Sequence, residues 1–220
     1  MIKVENIDVW GIEHAIRGMR NPMNSWDKSD SKWKYYREVT LPIENVDVDV
    51  YNYLLGQNDL DLMKRLYRAG TEHRKYLRQI FVSMDITAPL YWWKEFDTYK
   101  VGTVANSCST MHKIAAKEFE LDDFSYEHLS NNSIKVLNHT IKCMNDYREE
   151  FLKDKDKHNW WQMIQLLPSS YNQKRTITMN YENVITMIKQ RTGHKLDDWN
   201  DFIHKLLVKL PYIEEIIDGD

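Results

Sequence analysis

Residues 88–100 read Ala-Pro-Leu-Tyr-Trp-Trp-Lys-Glu-Phe-Asp-Thr-Tyr-Lys, an apolar run with paired tryptophans that turns charged at Lys94, Glu95, Asp97 and Lys100. Two readings account for bulky aromatics directly beside charges. One is an amphipathic helix entering the core, its charged face in solvent. The other is a ligand pocket walled by aromatic rings, in which the polar residues have been exchanged.

Outward from this stretch the chain alternates between two periodicities. Arg78 to Ile86, Lys3 to Trp10, Lys34 to Ile43 and Lys174 to Asn180 carry the alternation or the β-branched and aromatic content of strands, the Lys3 segment reading as a sheet edge. Helical spacing dominates elsewhere. Leu60, Met63, Leu66 and Tyr67 mark one helix, and Ile134, Leu137, Ile141, Met144, Tyr147 and Phe151 a longer one. Asn159 to Leu167 gives a short helix stopped by Pro168, Val184 to Ile188 another, and Trp199 to Leu210 a last one ended by Pro211. Residues 20–31 form a polar loop rich in turn formers, either a surface connection or a carrier of binding groups.

With seven glycines and five prolines in 220 residues, the chain has few breakers. Long helices around a small, mostly antiparallel sheet fit that scarcity better than a sandwich or barrel does. The expected class is α+β, built as a single domain over 1–220. A net charge of -3 provides no global field toward nucleic acid or an anionic membrane, so nucleic acid is not an expected partner. A local patch near Lys32, Lys34, Tyr35 and Tyr36 is the exception to test. Two cysteines, Cys108 and Cys143, suit a reducing compartment, and no run is long enough to cross a bilayer, so the cytoplasm is the expected location.

No Gly-rich phosphate loop is present, which removes the Walker and dinucleotide mechanisms. His139 and Cys143 stand four apart on one helix face, but no second pair at ligand spacing joins them, so no metal is expected. Cys108 lies in Asn106-Ser107-Cys108-Ser109-Thr110 near His112, and nothing in the sequence sets a nucleophile's geometry there.

Three blocks together resemble the flavin-dependent thymidylate synthase family. The first is Asp61 to His73, a helix leading into a Gly and His segment and followed by a strand that ends in Ala88-Pro89. The second is the opening stretch: where the family has Arg-Gln-Trp-x-Arg-His-Arg, this chain keeps a helix but reads Lys94-Glu95-Phe96-Asp97-Thr98-Tyr99-Lys100. Thr103, Asn106, Ser107, Ser109 and His112 occupy the family's Ser, Asn-Glu and Ser-x-Arg-Tyr region. The third is Leu167-Pro168, Asn180 and Arg191 at matching spacing, although Glu182 and Ile164 stand where the family has arginines.

The resemblance implies the family's fold, and a homotetramer with sites at subunit interfaces. It implies flavin adenine dinucleotide (FAD) as cofactor and reductive methylation of deoxyuridine monophosphate (dUMP). The carbon donor would be methylenetetrahydrofolate and the reductant NADPH. By the same resemblance Arg191 holds substrate, with Ser107 and Ser109 beside it, and Asn180, His73 and Asn106 line the flavin. Lys100 and Tyr99 stand in for the lost signature residues at the catalytic position. Glu95, Asp97 and Glu182 place negative charge where the family is neutral or cationic, and a carboxylate beside a phosphate costs affinity unless it is paired. The alternative function is a non-catalytic nucleotide-binding or protein-interaction module on the same scaffold.

Overall fold

The structure, a computed structural model, describes residues 2–41 and 46–218. Its order is β1 (Lys3–Trp10), α1 (Ile12–Arg20), β2 (Lys32–Leu41), β3 (Val46–Leu54), α2 (Gln57–Arg68), β4 (Phe81–Pro89), α3 (Leu90–Phe96), β5 (Val104–Ser107), α4 (Asn131–Asp154), α5 (Lys157–Leu166), β6 (Asn172–Asn180), α6 (Tyr181–Arg191), α7 (Asp197–Lys209) and α8 (Ile213–Ile217). The class is α+β with small antiparallel sheets. A four-stranded sheet runs β1-β4-β6-β5, and β2 pairs with β3 in a separate antiparallel ribbon.

β1 is an edge strand, as its charge-broken alternation predicts. The expected strand over Lys34 to Ile43 is β2, except that Pro42 and Ile43 lie outside the described residues, and it joins the ribbon instead of the main sheet. The strand expected at Arg78 begins three residues later. Lys75–Gln79 winds into a 3-10 turn that buries Tyr76 and Leu77, and pairing then continues through Ala88 and Pro89 to Gln173 and Asn172. β4 therefore runs straight into α3.

Along β4, Val82, Met84, Ile86 and Ala88 point inward, and on β6 Ile177 and Met179 do the same. Helices α1, α2, α3, α6, α7 and α8 pack on that face in one hydrophobic cluster. A second cluster joins α4 and α5 through Leu137, Ile141, Met144 and Met163 to Ile114, Phe119 and Phe124 of the preceding segment. Gly11, between β1 and α1, has φ +91° and no room for a Cβ, which would stand 2.2 Å from the Gln79 carbonyl oxygen.

The opposite sheet face is polar. Asp85 accepts from Thr176 Oγ1 at 2.7 Å, from Asn6 Nδ2 at 2.9 Å and from Lys174 Nζ at 3.1 Å. Asn6 reaches it from a bulge in β1 with φ +50°, a conformation asparagine tolerates. The three donors hold the Asp85 carboxyl at about 2, well below the ordinary carboxylate value. A depressed folded pKa adds stability that is full above the unfolded value of about 3.9 and is lost as pH falls through the folded value. Asp85→Asn is therefore expected to lower the unfolding midpoint at neutral pH, with the gap from wild type closing as acid approaches about 2. Denaturant melts of both proteins across that range check this, and a gap independent of pH would reject it.

Candidate functional site

The helix expected within residues 88–100 is α3, and its paired tryptophans line the core and not a ligand pocket. Trp92 and Trp93 are fully buried and belong to the core. Trp92 packs against Trp199 at 4.7 Å between ring centroids, and against Phe96 and Phe202 at 5.1 and 5.2 Å. The charged residues next to them do not simply face solvent. Glu95 Oε2 accepts from Arg191 Nη1 at 2.7 Å and from Trp199 Nε1 at 2.9 Å. Asp97 Oδ1 accepts from Arg175 Nη1 at 2.7 Å.

Each guanidinium also lies over aromatic rings. Arg191 stands 4.8 Å from the Trp199 centroid and 5.6 Å from that of Tyr99, and Arg175 stands 4.1 Å from Trp93. Arg191 Nε donates to Tyr99 Oη at 2.9 Å, and the Tyr99 hydroxyl in turn donates to Gln190 Oε1 at 3.0 Å. His194 Nε2 lies 3.2 Å from Arg191 Nη1. Arg191 ends α6, Glu95 lies near the end of α3 and Tyr99 just beyond it. The joint between these two helices is therefore a charged and aromatic knot.

The third substituted carboxylate is also engaged. Glu182, in the first turn of α6, pairs with Arg78 at 2.8 Å and with Arg74 at 3.4 Å. All three acidic residues thus meet arginines of their own chain, which answers the charge problem that the sequence raised.

Asn180 caps α6: its Oδ1 accepts from the Asn183 backbone N–H at 3.0 Å. Asn183 Nδ2 then donates to the Val101 carbonyl at 2.6 Å and to Thr103 Oγ1 at 3.1 Å, tying residues 101–103 to the start of that helix. Gly102 completes the joint with φ +73°, since a Cβ there would stand 2.8 Å from Asn180 Nδ2. Between α3, this loop and β5 lies a hollow of about 280 Å³ lined by Phe96, Asp97, Tyr99, Lys100, Thr103 and Ala105.

Tyr99 therefore touches Arg191 on one side and lines the hollow with Lys100 on the other, and Asn180 holds the 101–103 loop beside it. The other candidates are dispersed. His73 lines a separate hollow with Met19, Glu72 and Gln79. Asn106 pairs with Thr176 and so lies on the polar sheet face, whereas Ser107 pairs with Arg175 on the other. Ser109 Oγ accepts from the His112 N–H at 2.9 Å, a local turn beyond β5. Cys108 is exposed, and among the described residues no group of three or more His, Cys, Asp and Glu is arranged to hold a metal.

Sequence reading missed Arg175, Trp199, Gln190 and His194 as members of the knot. Only Arg175 carried a signal: strand alternation in Lys174 to Asn180 places it on the side of Ile177 and Met179, facing the core.

No family model matches the chain, and no curated protein resembles it in sequence. Among solved structures, the flavin-dependent thymidylate synthase ThyX of Helicobacter pylori, complexed with FAD and dUMP, matches with a TM-score of 0.64. Identity is 16%, over 97% of this chain and 96% of that one. A second structure of the same enzyme with the same ligands gives 0.65 at 16%, over 98% and 96%. The UMP/dUMP methylase PolB of Streptomyces cacaoi, bound with 5-Br dUMP, gives 0.56 at 11%, over 86% and 76%. Identities this low speak for the fold alone, and they show that this α+β chain has the fold of the flavin-dependent thymidylate synthases.

Proposed function

We propose that this chain is a flavin-dependent thymidylate synthase-like protein that binds a pyrimidine nucleoside monophosphate and FAD beside the joint of α3 and α6. The observation that carries it is Arg191, ordered over Tyr99 and Trp199 at the end of α6 with a side chain 18% exposed. A guanidinium held by aromatic rings offers forked donors to a phosphate. Lys100 adds a point charge, and Tyr99 a ring for stacking. In this reading Asn180 serves the flavin at the joint, whereas Ser107 and Ser109 for substrate and His73 and Asn106 for the flavin lie away from it and would act in a site completed by neighbouring copies.

The residues of one chain fit a nucleotide phosphate at Arg191 once Glu95 yields. They do not fit a whole flavin dinucleotide, because 280 Å³ falls short of the usual range of about 300–1,000 Å³ for small-molecule sites. A homo-oligomer, a tetramer in the family's manner, would enlarge the cleft from neighbouring copies. Exposed Val101 and Val104 beside the hollow are consistent with such an interface. The reaction this reading implies is reductive methylation of dUMP, with methylenetetrahydrofolate and NADPH as co-substrates.

A second reading, a non-catalytic nucleotide-binding or protein-interaction module, is favoured by the pairing of Arg191, Arg175, Arg74 and Arg78 with internal carboxylates. The visible spectrum of protein purified without added cofactor, before and after FAD and then dUMP, separates the two. Flavin bands that shift on adding dUMP are the expected result. A colourless protein that takes up no FAD at saturating concentration would leave the second reading.

No helix among the described residues is long and apolar enough to cross a membrane.

A further inference from the structure

Away from that joint, the outer face of α2 and the 20–31 loop border an open hollow of about 580 Å³ with a distinct chemistry. Arg20, Lys28, Lys64, Arg65 and Arg68 line it against a single carboxylate, Asp61. Asp61 is engaged by Gln57 Nε2 at 2.8 Å. No ion pair within the described residues involves Lys28, Lys64 or Arg65. Among the described residues Arg68 donates to the backbone oxygen of Asp218, at 3.3 Å.

Cations in the last turn of a helix complement its dipole, which is reason enough for Arg65 and Arg68. It does not account for Lys28, brought in from the loop, or for Arg20, a buried charge at the same hollow. Arg20 is held by Asp59 through Nε at 2.6 Å and by the Ser25 carbonyl through Nη1 at 3.1 Å. Its guanidinium is thus oriented before any ligand arrives. No aromatic ring lines the hollow, so nothing there would stack on a base.

We propose that this hollow is a binding site for linked phosphates, a ligand bearing two or more phosphoryl groups in series. Arginine forks suit phosphate oxygens in pairs, and lysines add point charges between them. Several cations around one concavity favour several adjacent negative charges over one. The site is independent of the flavin and nucleotide reading, because it shares no residue with the joint of α3 and α6.

The test is calorimetric titration of tripolyphosphate into the full chain, wild type and Lys64→Ala/Arg65→Ala, at low and at raised salt. Both substitutions are on the helix surface and leave the Arg20–Asp59 pair in place, so thermal melts of the ligand-free proteins are expected to coincide. One site per chain, weakened about tenfold or more by the double substitution and weakened again by salt, is the expected result. Equal affinity in both proteins, no heat at all, or the same response to sulfate at matched ionic strength would overturn it. Tighter binding of a single-stranded oligonucleotide that tripolyphosphate fails to displace would also overturn it, by assigning the surface to a nucleic-acid backbone.

Discussion

Asp59→Ala is expected to destabilise the protein by about 3–5 kcal/mol, because it leaves the Arg20 guanidinium buried without its counter-charge. Asp59 has no exposed surface and Arg20 only 3%. Burial by itself raises the Asp59 pKa, but hydrogen bonds from the Ser31 and Ser29 hydroxyls, from Arg20 and from the Ser31 backbone outweigh it and hold the carboxyl below its ordinary range. The distances are short: 2.6 Å to Ser31 Oγ, 2.7 Å to Ser29 Oγ and 2.6 Å to Arg20 Nε. Asp30, next along, accepts from the backbone N–H groups of Asn58 and Asp59 and so caps α2 from a distant part of the chain. Loss of Asp59 should therefore release the 29–31 segment as well as orphan an arginine. Denaturant unfolding checks the magnitude, and a double substitution with Arg20→Ala should cost less than the two singles added together. A loss for Asp59→Ala below about 1 kcal/mol would mean that water or another acceptor satisfies Arg20.

The second large effect concerns Arg191 and Glu95, which should move dUMP affinity in opposite directions. Arg191→Ala removes the guanidinium that the proposed function assigns to the phosphate. Charge-assisted hydrogen bonds contribute about 1.5–3 kcal/mol each, so affinity should fall by roughly ten- to a hundredfold. Glu95→Gln keeps the shape and an acceptor for Trp199 Nε1, but removes the negative charge that competes for Arg191, so affinity should rise. Titration of dUMP into flavin-loaded protein reads both. Unchanged binding in Arg191→Ala would take Arg191 out of the site. Weaker binding in Glu95→Gln would mean that the carboxylate orients the guanidinium and does not compete with the ligand.

Much of the fold could be read before the structure. The helices around Leu60–Tyr67, Ile134–Phe151 and Trp199–Leu210 emerge where their periodicity places them, because a helix that buries one stripe must repeat its apolar residues near every third or fourth position. Helix α1 carries the same helical signal in Ile12, Ala15, Ile16 and Met19, and β3 carries the strand alternation in Val46, Val48 and Val50. β5 carries almost none. All four of its residues are exposed, so neither face imposes an alternation, and only pairing with β6 makes it a strand.

The candidate site divides along similar lines. Asn180 and Arg191 bracket α6 eleven residues apart, a local relation that the chain carries in its own spacing. Local order also set the amphipathic character of 88–100 and the acidic substitutions at Glu95, Asp97 and Glu182. Which arginine meets which carboxylate was decided only by tertiary structure. Glu95 and Arg191 are 96 residues apart and Arg175 and Asp97 are 78, and charge attraction has no sequence period. Periodicity records how one element faces a core. The meeting of two faces depends on how β4, β6, α3 and α6 pack, and that is a property of the folded chain alone.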